Sequence, residues 1–326
     1  MKVFLTGATG FVMSEVAEKL RARGDEVMAL VRNPAKAAAL QTLGCVLVNG
    51  DLSDDAAIRQ GMTGVDAVIH GAAIYDVGIP ASKRPEMYES NVRGTERVLG
   101  AALDLKIPRV VYISTVGAFG NTGGQVVDET FEHKGNYVSY YDETKHLAHI
   151  AAKKLIGEGL PLVIVQPGGV YGPHDVSPQG RLMRQFLDGK LPAMMFPETG
   201  FNFVHRDDLA DGILLALDRG RPGEAYVLGG EITTAGKLIE TLARVSGKKP
   251  PRITLPSVMV KLSVPLGPLL GPALGFGPNL GELVKAADGV TYWATDAKAR
   301  KELGYSPRGL EQGLRDMLEA EARIPA

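Results

Sequence analysis

The chain has 326 residues, 45% hydrophobic and 22% charged, with 36 Lys and Arg against 37 Asp and Glu and a formal net charge of -1. That balance, without a run of five basic residues, argues against nucleic acid as a main partner. The single Cys45 rules out an intramolecular disulfide and a cysteine-cluster metal site; beside Val46-Leu-Val48 it reads as a buried thiol at a strand end, which suits a reducing cytoplasm.

Met1-Lys-Val-Phe-Leu5 runs straight into the glycine turn Thr6-Gly-Ala-Thr-Gly10, leaving no room for a signal peptide. Val3–Thr6, Glu26–Val31, Val46–Val48, Ala67–His70, Val110–Ser114 and Leu162–Val165 are short apolar runs of the kind that form strands buried on both faces. Between them, helical patterns span Phe11 to Arg23, Pro34 to Leu43, Asp54 to Gly61, Pro85 to Leu105 and Tyr137 to Ile156, with Gly24, Gly44 and Gly61 at expected C-terminal caps. Strand and helix alternate, which predicts an α/β fold with a doubly wound parallel sheet.

After residue 170 the pattern loosens, and Pro and Gly rise. The division predicted is a dinucleotide-binding Rossmann domain over 1–170, rejoined by elements from about 200–230, and a smaller α/β substrate lobe over 171–326 that closes the C-terminal edge of the sheet. Val258 to Gly277 is apolar for about the length of a membrane span, but three prolines, four glycines and Lys261 interrupt it. It reads as a broken, buried helical segment over an apolar cleft, and no membrane span is expected.

Gly7 and Gly10 follow the first strand and open a helix, where backbone amides and the helix N-terminus suit a pyrophosphate. Thr9, Phe11 and Val12 complete that turn. The second strand ends in Val31-Arg32, with no acid to accept from an adenosine ribose; Arg32 could meet a 2'-phosphate, favouring NADP over NAD. Gly50-Asp51-Leu52 ends the third strand, with Asp51 a polar contact to adenine or, equally, a cap for the helix near Asp54. His70-Gly-Ala-Ala73 ends the fourth with small residues against which a flat cofactor can lie. Tyr141 and Lys145 stand four apart, on one helix face, where the ammonium can favour the ionised phenol. Such a turn and such a pair together point to hydride chemistry on a nicotinamide cofactor.

These residues carry a resemblance. Thr6-Gly-Ala-Thr-Gly-Phe-Val12, Gly50-Asp-Leu52, His70-Gly-Ala-Ala73, Asn91-Val-Arg-Gly-Thr95, Tyr112-Ile-Ser-Thr-Val116, Tyr141 with Lys145, Pro167-Gly-Gly-Val-Tyr-Gly-Pro173, Phe203-Val-His-Arg-Asp-Asp-Leu-Ala210 and Leu303-Gly-Tyr-Ser-Pro307 span nearly the whole chain. Together they resemble the extended short-chain dehydrogenase/reductases of the epimerase/dehydratase superfamily, in the branch with dihydroflavonol reductases and hopanoid-associated sugar epimerase-like proteins. Two departures stand out. Met13 replaces the usual third glycine, so its side chain must fold into the core or shift the helix, and Gln166 replaces an Arg common in sugar-nucleotide members.

The resemblance implies that Tyr141 exchanges a proton with the substrate oxygen, that Lys145 holds the nicotinamide ribose, and that Thr115 hydrogen-bonds the same oxygen as Tyr141. Strand alternation turns Ser114 the other way. Gly7, Thr9, Gly10, Phe11, Val12, Arg32, Asp51, Leu52, Gly71, Ala72, Ala73 and Pro167, with Tyr141 and Lys145, are the expected cofactor contacts. Tyr75, Thr115, Tyr171, Val176, Phe203 and Trp293 are candidate substrate walls.

The favoured function is NADPH-dependent reduction of an apolar ketone or aldehyde. The alternatives are a sugar-nucleotide epimerase or dehydratase holding NAD tightly, and a silent NADP-binding sensor. The resemblance also allows a homodimer through the helices near Pro85 to Leu105 and around Tyr141. His70 reads as a packed imidazole, His146 and His149 lack carboxylates at metal spacing, and the acids after His205 read as helix caps.

Overall fold

The computed structural model describes residues 1–267 and 279–324. All six expected strands form: β1 (Lys2–Thr6), β2 (Glu26–Val31), β3 (Val46–Asn49), β4 (Ala67–His70), β5 (Val110–Ile113) and β6 (Leu162–Pro167). With the later strand Ala225–Leu228 beside β6 they make a seven-stranded sheet, ordered outward from that strand as β6, β5, β4, β1, β2, β3. Every pairing in it is parallel. The order reverses between β1 and β4, and such a switch opens a crevice at the carboxyl ends of the two strands.

Helices cover both faces, as apolar strand runs require. They begin with α1 (Met13–Ala22), α2 (Ala38–Thr42), α3 (Asp55–Met62), α4 (Arg84–Tyr88), α5 (Gly94–Asp104) and α6 (Tyr140–Gly157). One core joins α1 and the helix Arg206–Arg219 to the sheet through Val16, Leu20, Leu209 and Ile213; the other joins α3, α5 and α6 through Ile58, Val98, Leu99 and Ala148. The expected helix over Pro34 to Leu43 is instead a 3-10 turn, Pro34–Lys36, followed by α2. The pattern from Pro85 to Leu105 is a single path from α4 to α5, through a π-helical turn at Glu89–Arg93.

Gly24 and Gly44 have φ of 87° and 79°, the left-handed backbone that favours glycine after a helix. Gly61 is not such a cap. It lies inside α3, where an added Cβ would stand 2.9 Å from Cδ2 of Phe4, so the glycine lets α3 approach β1.

Beyond the sheet, Gly169–Tyr171, Gly200–His205 and Glu231–Thr234 form a three-stranded sheet, and the helices Pro178–Leu187, Ala235–Ser246 and Leu310–Ala320 share a third core. The apolar stretch from Val258 departs from expectation in its described part. Ser257–Leu262 is a short helix with Val258, Met259 and Leu262 more than half exposed, while Val260 is buried; residues 268–277 of that stretch lie outside the described residues. No helix among the described residues is long and apolar enough to cross a membrane.

Candidate active site

One cavity of about 1440 Å³ opens along the carboxyl ends of β1, β4, β5 and β6. At one end stands the glycine turn. Gly7 has φ 80°, and a Cβ there would lie 2.9 Å from the backbone N and Cα of Ala72, so only glycine lets β1 and β4 close up at this point. Gly10 donates its N–H to the Gly7 carbonyl at 2.7 Å, which curls the chain into α1. Thr9, Gly10, Phe11, Val12, Arg32, Asp51, Leu52, Gly71, Ala72, Ala73 and Pro167 all line the cavity with Gly7.

Met13 does not block it. The side chain is 4% exposed and packs in the core against Gly71, where a Cβ would meet the Met13 Cγ at 2.7 Å. The absent third glycine is thus matched by open space at position 71. Asp51 does not cap α3. Its Oδ1 accepts from the Ser53 N–H at 2.8 Å and the Ser53 hydroxyl at 2.6 Å, while Asp54 caps α3 by accepting from the Ala57 N–H. These bonds, with the nearby Arg32 charge, hold the Asp51 carboxyl below its usual range.

At the other end, α6 brings Tyr141 and Lys145 to the crevice. Ser139 starts this helix by accepting from the Asp142 N–H at 3.1 Å. Lys145 is 3% exposed; its Nζ donates to the Ile113 carbonyl at 2.8 Å and to the Tyr112 hydroxyl at 3.3 Å. Burial lowers the ammonium to about 7. The Tyr141 phenol is pushed well above its ordinary value by burial first, then by Tyr75, Asp142 and Tyr112, against an opposing contact from Thr115. The ammonium donates to Ile113 and Tyr112, and burial rather than the lysine charge dominates the Tyr141 phenol.

Thr115 and Ser114 diverge as strand alternation requires. Ser114 Oγ lies 3.0 Å from His149 Nδ1 on α6, and Thr115 Oγ1 accepts from the Gly117 N–H at 3.1 Å, although both residues line the cavity. Part of the lining is apolar, with Leu182, Leu191, Met195, Phe196, Val260, Leu283 and Val284, and Arg181, Gln185 and Lys190 line it as well. Tyr75 meets the Tyr141 ring edge-on at 4.8 Å and donates to the Gln179 side chain at 3.2 Å. Val176 stands exposed on the lining, and Phe203 is a buried part of it.

Two expected walls lie elsewhere. Tyr171 is 1% exposed in the third core, edge-on to Phe203, with its hydroxyl on the Leu310 carbonyl. Trp293 spends its indole N–H on the Thr233 carbonyl at 2.9 Å and is not part of the lining. Both are aromatics that the fold uses for packing between elements.

Asp142 escaped the sequence reading. It is 4% exposed on the cavity wall, accepts from the Tyr292 hydroxyl at 3.2 Å, and is raised to about 7 by burial. Its place next to Tyr141 on the first turn of a helix was the available signal. Three histidines have structural partners: His70 two threonines, His146 the Ala118 carbonyl, and His205, through Nδ1, the Asp207 N–H that it caps, although the buried Nε2 of His205 has none. The cap is thus the histidine and not the following acids, since Asp208 pairs with Arg308. Among the described residues no three His, Cys, Asp or Glu are placed to hold a metal.

The family model described as the NAD dependent epimerase/dehydratase family matches residues 3–229. The chain belongs to this family. A Synechocystis protein named for dihydroflavonol 4-reductase activity is 33% identical, the match covering 96% of this family member and 92% of the relative. A ketoreductase of Stigmatella aurantiaca, named for 4-hydroxy-2-methyl-3-oxo-4-farnesyl-3,4-dihydroquinoline-1-oxide, is 30% identical over 98% of this chain and 96% of its own. Among solved structures, that of gox2253 superposes with a TM-score of 0.83 at 32% identity, covering 99% of both chains. Members of this family are nicotinamide-dependent enzymes, and relatives of this one include reductases and dehydrogenases.

Proposed function

We propose that this family member is an NADPH-dependent reductase of an apolar ketone or aldehyde. The observation that carries the reading is Tyr141 lining one cavity with Thr115, Lys145 and the apolar side chains Leu182, Leu191, Met195, Phe196 and Leu283, its phenol raised above its ordinary value by burial. A neutral phenol is a proton donor, which a carbonyl needs as it becomes an alcohol, and apolar walls select an apolar body. The name of the Stigmatella relative, a ketoreductase for a farnesylated substrate, agrees with that chemistry.

Bound NADPH would supply the hydride. The Gly7–Gly10 turn and the N-terminus of α1 would hold its pyrophosphate, with Arg32 at the 2'-phosphate and Asp51 near the adenine. Gly71, Ala72, Ala73 and Pro167 would leave room for the flat rings. Tyr141 would protonate the carbonyl oxygen while Thr115 holds that oxygen by a second hydrogen bond, and Lys145 would grip the nicotinamide ribose. Tyr75, Val176 and Phe203 would contact the substrate.

The purified protein, given NADPH or NADH and a panel of aryl, alicyclic and long-chain ketones and aldehydes, should consume reduced nicotinamide with at least one of them and prefer NADPH. Consumption with none, together with a tightly held oxidised NAD found by mass analysis of the purified protein, would overturn the reading in favour of an epimerase.

A further inference from the structure

Behind the cavity a run of buried polar side chains crosses from β1 to α6. Thr6, His70, Thr95, Tyr112 and Lys145 come from five different elements and are at most 3% exposed. Thr6 Oγ1 accepts the backbone N–H of Gly71 and of Ala72, each at 3.2 Å, and stands 2.7 Å from His70 Nδ1. With both lone pairs engaged, the Thr6 hydroxyl gives its only hydrogen to Nδ1. His70 is thereby fixed with its proton on Nε2, and Nε2–H donates to Thr95 Oγ1 at 3.0 Å. Thr95 passes its own hydrogen to the Asn91 carbonyl at 2.7 Å.

The histidine ring stacks on the Tyr112 ring, with centroids 5.6 Å apart and planes 18° apart. Tyr112 in turn helps the Ile113 carbonyl hold Lys145, by its hydroxyl at 3.3 Å and by its ring, whose centroid lies 5.0 Å from Nζ. The run ends at Thr6 on two backbone amides, so it offers no proton path to solvent. It holds; it does not conduct.

We propose that His70 is a positioning residue: locked in one tautomer between Thr6 and Thr95, it sets the Tyr112 ring and hydroxyl that orient Lys145. The lysine is thereby tied to the Gly71-Ala72 loop and to the end of β1, where the glycine turn begins. Burial supports the role by keeping the imidazole neutral, at about 3, so that Nδ1 stays an acceptor. The titratable groups around Lys145 include Tyr112 and His70 from the sheet and, on its own helix, Tyr141 one turn before and His149 one turn after, both histidines feeling the lysine charge.

The test compares Tyr112→Phe, His70→Asn and His70→Gln with the unaltered protein. Asn keeps an acceptor toward Thr6 and loses the donor to Thr95; Gln can place an amide N–H where Nε2–H stood. The first readout, independent of activity, is the Lys145 titration in cofactor-free protein with isotope-labelled lysine side chains, followed by NMR. The second, which rests on the reductase reading, is kcat and KM for a reducible apolar ketone. Tyr112→Phe and His70→Asn should each move the titration and lower kcat by about tenfold, with KM changed less than about twofold. His70→Gln should recover most of both.

An unmoved titration in Tyr112→Phe and His70→Asn overturns the proposal, as does a His70→Gln variant no better than His70→Asn. If the unaltered protein reduces no ketone, the reductase reading fails while the titration still decides this one. Should the His70 variants not fold, Thr95→Val, which severs the same link at nearly constant shape, carries the same expectation.

Discussion

The Tyr292 hydroxyl donates to the Asp142 carboxylate at 3.2 Å, one residue along the chain from Tyr141. That carboxyl is raised from an ordinary 3.8 to about 7, by burial first and with a further push from Glu282. Between those values the folded protein keeps a proton that the unfolded chain has released, so this group's contribution to stability falls as pH rises from about 4 to about 7. Asp142→Asn should therefore gain melting temperature over its parent as pH rises through that window, and little below it. A gap of a few degrees is expected, at ~2–4 °C per kcal/mol. Melting curves at acid and mildly alkaline pH check it; a gap that stays constant would count against the buried charge.

Tyr141→Phe removes the proposed proton donor and leaves the ring. Reduction should fall by about 10²–10⁴-fold, the usual worth of a placed acid. NADPH binding, followed by its fluorescence, should survive, which separates lost chemistry from lost cofactor.

Arg32→Ala removes the cation proposed to meet the 2'-phosphate. A charge-assisted hydrogen bond is worth about 1.5–3 kcal/mol, so the preference for NADPH over NADH should shrink by about ten- to a hundredfold. Paired kcat/KM values for the two cofactors measure it, and an unchanged ratio would acquit Arg32.

Met13 and Gly71 trade volume. Gly71→Ala puts a methyl group against the Met13 Cγ and Sδ, so the thioether must leave its niche toward the crevice. NADPH affinity should drop about tenfold, within the range of overpacking costs. Adding Met13→Ala should restore most of it, and a double-mutant cycle reads the coupling directly.

Much of the sheet was legible because strands covered on both faces must be apolar throughout, as Val3 to Leu5 and Val110 to Tyr112 are. The glycine turn was legible for a similar reason: Gly7 sits at a φ of 80° that other residues resist. What escaped depends on partners far away in the chain. Gly61 read as a cap because its real neighbour, Phe4, is on another element, and Tyr171 read as a wall although it serves the interface with Leu310. The direction of the Lys145 ammonium is set by the Ile113 carbonyl and the Tyr112 hydroxyl, 32 and 33 residues earlier, and spacing along one helix says nothing of it.

The π-helical turn at Glu89–Arg93 lets Asn91 serve two clients. Its side chain accepts from the Ile74 N–H at 2.7 Å, and its amide nitrogen donates to the Ile74 carbonyl and to the Thr144 hydroxyl, each at 3.0 Å; Thr144 in turn donates to the Tyr141 carbonyl. Deleting one residue there would restore ordinary winding and take Asn91 away from its place opposite Ile74 and Thr144. The loop that carries Tyr75 would lose its tether to α6 with every strand still in place. At this point the enzyme is constrained by how many residues it has, and a one-codon deletion should harm it more than most substitutions nearby.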